Sequence, residues 1–177
     1  MNDLEVKFTR LMPVSEADGG VVIEGYASYF GVRDQGGDVV QPGAYGKSLG
    51  ALKAKGRTVK MLWQHDPGEV IGVWDEIRED ARGLYVKGRI FTEVTRGREA
   101  AELIGRGAID GLSIGYRTVK ARKGSGGERL LDELDLWEVS LVTFPMLAEA
   151  RLGAKSGGGI AGLLEAARSE VRALNIG

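Results

Sequence analysis

Short apolar stretches, each broken by a turn, run along most of this chain. Leu4, Val6 and Phe8 alternate with polar neighbours, which predicts a strand over 4–11. A second strand follows the Gly19-Gly20 turn, from Val21 to Phe30. Gly36-Gly37 reads as a turn into a short strand at Asp38-Val39-Val40. Pro42 is suited to start a helix, with Tyr45, Leu49 and Leu52 on one face and Gly56 at its end. Thr58 to Gln64 predicts a strand with His65 at its end, before an Asp66-Pro67-Gly68 turn. Val70–Ile77 and Leu84–Phe91 read as an antiparallel pair joined at Arg82-Gly83. Thr95 is placed to cap a helix whose inner face carries Ala100, Leu103 and Ile104, and Gly105 and Gly107 close it. Leu112–Ala121 is a further strand, residues 123–128 a loop, and Leu130–Phe144 the last strand or two.

About seven short strands with two helices between them predict a mostly β (α+β) fold, a β-barrel or sandwich with surrounding helices. The pattern changes after Arg151. The glycine-rich stretch 153–159 reads as a flexible linker. Beyond it Ile160, Leu163, Leu164, Ala167, Val171 and Leu174 mark an amphipathic helix. The expected division is a barrel domain over 1–152, a linker over 153–159 and a helix over 160–177. Such a helix is marginal alone and should pack on its own domain, a second subunit or a partner.

Composition narrows the function. The 177 residues carry 24 Lys and Arg against 25 Asp and Glu, a net charge of -1, so no cationic excess marks a nucleic-acid surface. Acids at Asp3 and Glu5 disfavour a signal peptide, and no apolar run approaches the ~18 residues of a membrane span. The chain has no cysteine and one histidine. That removes a disulfide framework, a thiolate metal site and a cysteine nucleophile, and fits a reducing cytoplasm. The remaining ligands, carboxylates and one imidazole, disfavour catalytic zinc, and no phosphate-binding glycine loop is present, so no metal or cofactor is expected. The tryptophans at 63, 74 and 137 read as core, since each lies in a strand.

Acid–base or nucleophilic chemistry near neutral pH then rests on few groups. Ser113 lies in Gly111-Leu112-Ser113-Ile114-Gly115-Tyr116, where the two glycines leave room for a substrate backbone. Its hydroxyl needs a base to become a nucleophile, and otherwise bonds neighbouring backbone. His65 is the candidate base, with a simple strand-end histidine as the alternative. An acid must orient the imidazole. Asp66, Asp110, Asp132, Glu133, Asp135 and Glu138 are the candidates. Glu138 stands out because Leu134-Asp135-Leu136-Trp137-Glu138-Val139-Ser140-Leu141-Val142 looks buried, and a buried carboxylate wants a partner. A solvent-facing Glu138 is the other reading.

Five segments, in order, resemble the HK97-type prohead (capsid maturation) protease family of tailed phages. They are residues 25–30, 35–45, 62–66, 111–116 and 136–145. The family is similar in fold to herpesvirus assemblins, a β-barrel ringed by helices. The resemblance implies a serine endopeptidase with His65 as base and Ser113 as nucleophile. Herpes-type proteases use a second histidine as orienter; here the resemblance carries that role to Glu138, 25 residues after Ser113 (138 − 113). By analogy of position, the loop holding Met146 and Leu147 supplies oxyanion donors. The implied substrates are the scaffold segment of the major capsid protein and the protease itself. The implied setting is the immature capsid in the bacterial host cytoplasm. A homo-oligomer through the last helix is a further expectation. The competing expectations are a non-catalytic capsid- or scaffold-binding assembly module, and a small esterase using the same side chains.

Overall fold

The computed structural model describes residues 20–152. Along them run β1 (Gly20–Tyr29), β2 (Asp38–Val40), α1 (Gly46–Ala54), β3 (Lys60–Trp63) and β4 (Asp66–Glu79). Then come β5 (Gly83–Phe91), α2 (Thr95–Gly105), β6 (Gly111–Lys123) and β7 (Arg129–Val142). The seven strands form one sheet, ordered β1-β5-β4-β3-β7, with β2 also on β7 and β6 beyond it. The mostly β, barrel-like architecture expected from the spacing of turns is the one observed.

β7 is the hub. Its first three residues pair in parallel with β2, residues 138–141 pair in parallel with β3, and β6 runs antiparallel along its other side. The outer strands β1 and β6 approach each other, and residues 150–152 lie between them. Leu112 N–H donates to Ala150 O at 2.6 Å and Leu152 N–H to Asp110 O at 2.7 Å. Single bridges join Gly25 to Leu152 and Gly111 to Arg151. The enclosed core includes Ile23, Met61, Ile71, Leu84, Val86, Ile90, Leu112, Leu136 and Leu141, all essentially buried. Each large aliphatic side chain withdrawn from water contributes roughly 1.5–3 kcal/mol. α1 packs on β4 and β7, and α2 on β4 and β5.

Several local expectations are corrected. Pro42 does not open α1: Gly43 has φ +87°, which no right-handed helix accommodates, so the helix waits until Gly46. Val94, in extended conformation, precedes α2, and Thr95 is its first helical residue with no side-chain cap. Ala100, Ala101 and Ile104 form its buried face, while Leu103 is half-buried. The last strand or two expected over 130–144 is a single strand. The expected strand at 4–11, the linker and the C-terminal helix lie outside the described residues.

β7 changes faces part-way along. Glu138 stands opposite Gly115 and Leu136 opposite Tyr116, so Trp137 has no partner on β6 and forms a β-bulge. Before the bulge, Leu134 and Leu136 point into the core; after it, Val139 and Leu141 do. The bulge therefore turns Glu138 and Ser140 away from that core. It also leaves Trp137 58% exposed, not in the core as expected.

Candidate active site

His65 sits where β3 turns into β4. The turn is two residues long, Gln64-His65, not the Asp66-Pro67-Gly68 segment favoured by local turn propensity. Asp66–Gly68 already belongs to β4. Both turn residues have positive φ, 52° for Gln64 and 62° for His65. Positive φ at both central positions suits the twist of a tight hairpin but costs non-glycine residues about 1–2 kcal/mol each. Bonds to β7 and its extension offset that cost. Gln64 N–H donates to Leu141 O at 2.9 Å. The Gln64 amide donates to Thr143 Oγ1 at 2.8 Å and accepts from Thr143 N–H at 3.3 Å. His65 N–H donates to Ser140 Oγ at 3.2 Å. His65, on a strained turn, is thereby pinned to the strand carrying its partner.

That partner is Glu138. His65 Nδ1 and Glu138 Oε1 lie 2.5 Å apart. The Glu138 side chain is 11% exposed and the imidazole 43%. The carboxylate's other oxygen, Oε2, accepts from Ser140 Oγ–H at 2.5 Å. The hydrogen bond to Glu138 raises the His65 pKa above its ordinary 6.5, against an opposing effect of partial burial. With Nδ1 donating to the carboxylate, Nε2 is the nitrogen left to take up a proton.

Ser113 stands on β6 directly across from Ser140, and is 5% exposed. Directly opposed residues of an antiparallel pair have Cα atoms about 4.5–5.5 Å apart. Ser113 and His65 thus flank the same residue, Ser140. No hydrogen bond joins them, and the Ser113 hydroxyl has no partner among the described residues. The only fully buried side-chain polar atom without a partner among those residues is the Tyr45 hydroxyl, so the unpartnered Ser113 oxygen keeps contact with solvent. Catalytic contacts are often loose before substrate binds.

The two glycines around Ser113 are also required by the packing of the protein itself. A Cβ on Gly115 would stand 2.1 Å from Glu138 Oε1, so the missing side chain makes room for the carboxylate. A Cβ on Gly111 would meet Val142 O at 2.5 Å and Pro145 at 2.9 Å. The loop beyond β7 is held by Gln35 N–H donating to Met146 O at 3.1 Å and Ala150 N–H to Leu147 O at 2.9 Å. The N–H groups of Met146 and Leu147 have no acceptor among the described residues. Both residues line a cleft of about 110 Å³ together with Ser113, Leu112, Ile114, Val32 and Asp34. That volume is below the ~300–1,000 Å³ of pockets that take whole small ligands, and is closer to that of one side chain.

Of the other acids considered, Asp66 bonds the Gly68 N–H, Asp110 pairs with Arg151, Asp132 with Arg122, Glu133 with Lys47 and Asp135 with Arg117. None of these bonds reaches His65. Ser140 is the site residue that pattern reading missed. Its signal was available: two residues apart on a strand share a face, so a buried Glu138 would find a donor in Ser140.

A family model described as caudovirus prohead serine protease matches residues 9–158. The prohead protease of Enterobacteria phage HK97 is 32% identical over 157 residues, which cover 86% of this chain and 65% of that protein. The chain thus spans just under two thirds of that relative. Among solved structures, the bacteriophage T4 capsid assembly protease aligns with a TM-score of 0.60 at 17% identity, covering 78% of this chain and 92% of that one. A KSHV protease, solved with a hexapeptide phosphonate inhibitor, aligns with a TM-score of 0.51 at 12% identity, covering 75% and 63%. At such identities the two structures establish a shared fold.

Proposed function

The chain belongs to the caudovirus prohead serine protease family, and from that premise we propose that it is a serine endopeptidase of capsid maturation. His65 Nε2 takes the Ser113 proton as the hydroxyl oxygen attacks a scissile carbonyl. Glu138 fixes the imidazole tautomer and stabilises the imidazolium. The proton then passes to the leaving amine, an acyl-enzyme forms on Ser113, and water resolves it. The N–H groups of Met146 and Leu147 are the candidate oxyanion donors, and each such donor is worth roughly 10²-fold or more in rate.

The observation that carries this reading is the 2.5 Å contact between the sole imidazole and a buried carboxylate, beside the strand that bears Ser113. It supplies a base held in one orientation, with a free nitrogen, and the Ser113 hydroxyl on the neighbouring strand is unpartnered among the described residues. The substrates on this reading are the scaffold segment of the major capsid protein and the protease itself. The reaction takes place inside the immature shell, in the cytoplasm of the host. Among the described residues no helix is long and apolar enough to cross a membrane.

The test is to incubate the wild-type chain and Ser113→Ala with the cognate capsid precursor and weigh the products. Ser113→Ala is expected to fold and to leave the precursor intact. Cleavage by the purified variant removes the nucleophile assignment, and binding without cleavage by the wild type favours an assembly module instead.

A further inference from the structure

We propose that Ser140 is a positioning residue for this reaction, a hydroxyl that holds both the carboxylate and the backbone of the His65–Glu138 pair; the inference rests on the protease reading above. Ser140 is completely buried. Its oxygen accepts from His65 N–H at 3.2 Å. A backbone N–H only donates, so that bond uses a lone pair and leaves the hydroxyl hydrogen for Glu138 Oε2, 2.5 Å away. The donor direction is therefore set by chemistry.

The consequences are geometric and electrostatic. Glu138 Oε1 is taken by the imidazole and Oε2 by Ser140, so the carboxylate cannot turn without breaking one of two charge-assisted bonds. The bond to His65 N–H ties the strained turn to the same oxygen. Ser140 also stands across from Ser113, so one residue borders all three side chains of the proposed reaction. Supporting bonds of this kind keep a reacting group in its productive orientation.

The electrostatic effect has a definite sign. With its proton removed, the pair is a neutral imidazole and a carboxylate, with net charge -1. An O–H donor stabilises that form. Without it, the pair holds its proton more tightly and titrates at higher pH. The other charged groups near the pair are Lys60, level with Glu138 on β3, and Asp66, next to His65 on β4. From β6 the facing residues are Gly115 and Ser113, and on β7 the neighbours are Trp137 and Val139, none of them charged. Replacing Ser140 touches neither Lys60 nor Asp66, so the difference from wild type isolates the hydroxyl.

The chain has one histidine, so an NMR titration of the imidazole in the full chain reads His65 alone. In Ser140→Ala, with folding checked by thermal melting, the midpoint is expected to rise by about half a pH unit or more. In parallel, kcat on the capsid precursor should fall about tenfold with KM unchanged, and the acid limb of the rate profile should move up with the NMR midpoint. Ser140→Thr, which keeps a hydroxyl, should restore both. A folded Ser140→Ala protein whose titration and acid limb match wild type overturns the proposal. Cleavage that survives Ser113→Ala overturns the underlying reading and the proposal with it. That result is recognised independently of the titration.

Discussion

β7 contributes one member to each of two pairs built on a buried carboxylate, one near each of its ends, and they differ in what the carboxylate's partner is able to do. Near its start, Arg129 grips Asp38 with both fork nitrogens, Nε to Oδ1 at 2.7 Å and a terminal nitrogen to Oδ2 at 2.5 Å. Tyr116 adds a third bond at 3.2 Å. Near its end, Glu138 holds His65. The two carboxylate side chains are equally withdrawn, 10% and 11% exposed. A guanidinium is cationic at every pH the protein meets and presents a rigid fork, so the Asp38 pair is a staple. An imidazole changes charge near neutrality and has a second nitrogen to offer, so the Glu138 pair is able to move a proton. Burial of an acid alone does not mark a reactive site; the titration range and spare valence of its partner do.

The sharpest way to break this comparison is Glu138→Gln. If the His65 pair handles the proton, the substitution should lower kcat/KM by roughly 10²–10⁴-fold, as loss of a triad acid does. His65 should then titrate closer to its ordinary value. Stability adds a sign. A raised pKa in the folded state means the His65 contribution is complete below about pH 6.5 and is lost as pH rises through the raised value. The gap in unfolding free energy between wild type and Glu138→Gln, read from urea titrations, should therefore be wider at pH 5.5 than at pH 8.5, by at most about 1 kcal/mol given the open imidazole.

Gly115→Ala comes next. Its new methyl falls on Glu138 Oε1, so the carboxylate must shift. A misplacement near 1 Å is worth up to about 10²-fold in rate. Overpacking should lower stability by about 1–3 kcal/mol. An active, undisturbed Gly115→Ala protein would show that the carboxylate's position is not critical.

Asp38→Asn should have the smallest effect on rate and a plain effect on stability, about 1–3 kcal/mol in urea unfolding. The exposed Arg129 head group stays hydrated when its partner is lost. The pH dependence runs opposite to that of His65. The Arg129 bonds hold Asp38 below the ordinary 3.8, so its contribution is present above that pH and is lost as pH falls through the lowered value. The cleavage–pH profile should match wild type; a displaced profile would mean that the staple and the proton-handling pair are coupled.

Much of the framework was legible from the residues. The antiparallel pairing of Val70–Ile77 with Leu84–Phe91 was read from the residues and is the one that β4 and β5 make, and the single imidazole drew attention to the β3–β4 junction. The junction's shape was not legible. Asp66-Pro67-Gly68 has stronger local turn chemistry than Gln64-His65, but the pairing of Trp63 with Asp66 and the bonds from Gln64 to Leu141 and Thr143 override it. The direction of Glu138 was also ambiguous, because a period-2 reading fails at a bulge. The change of phase between Leu136 and Val139 depends on which residue of β6 stands opposite, information that no single strand carries. Ser140 was legible in part: its place two residues from Glu138 on one strand gave the bond to the acid, whereas its bond to the His65 turn exists only in the folded sheet.

The line where residues 150–152 lie between β1 and β6 is held by short bridges instead of a long ladder. The curled sheet is closed there by a seam of few bonds. Ser113, Ser140, Glu138 and His65 all sit to one side of that seam, on the continuous β6-β7-β3 ladder and the turn that ends it. The spacing among those four residues is therefore set by that ladder and does not depend on the bonds across the seam.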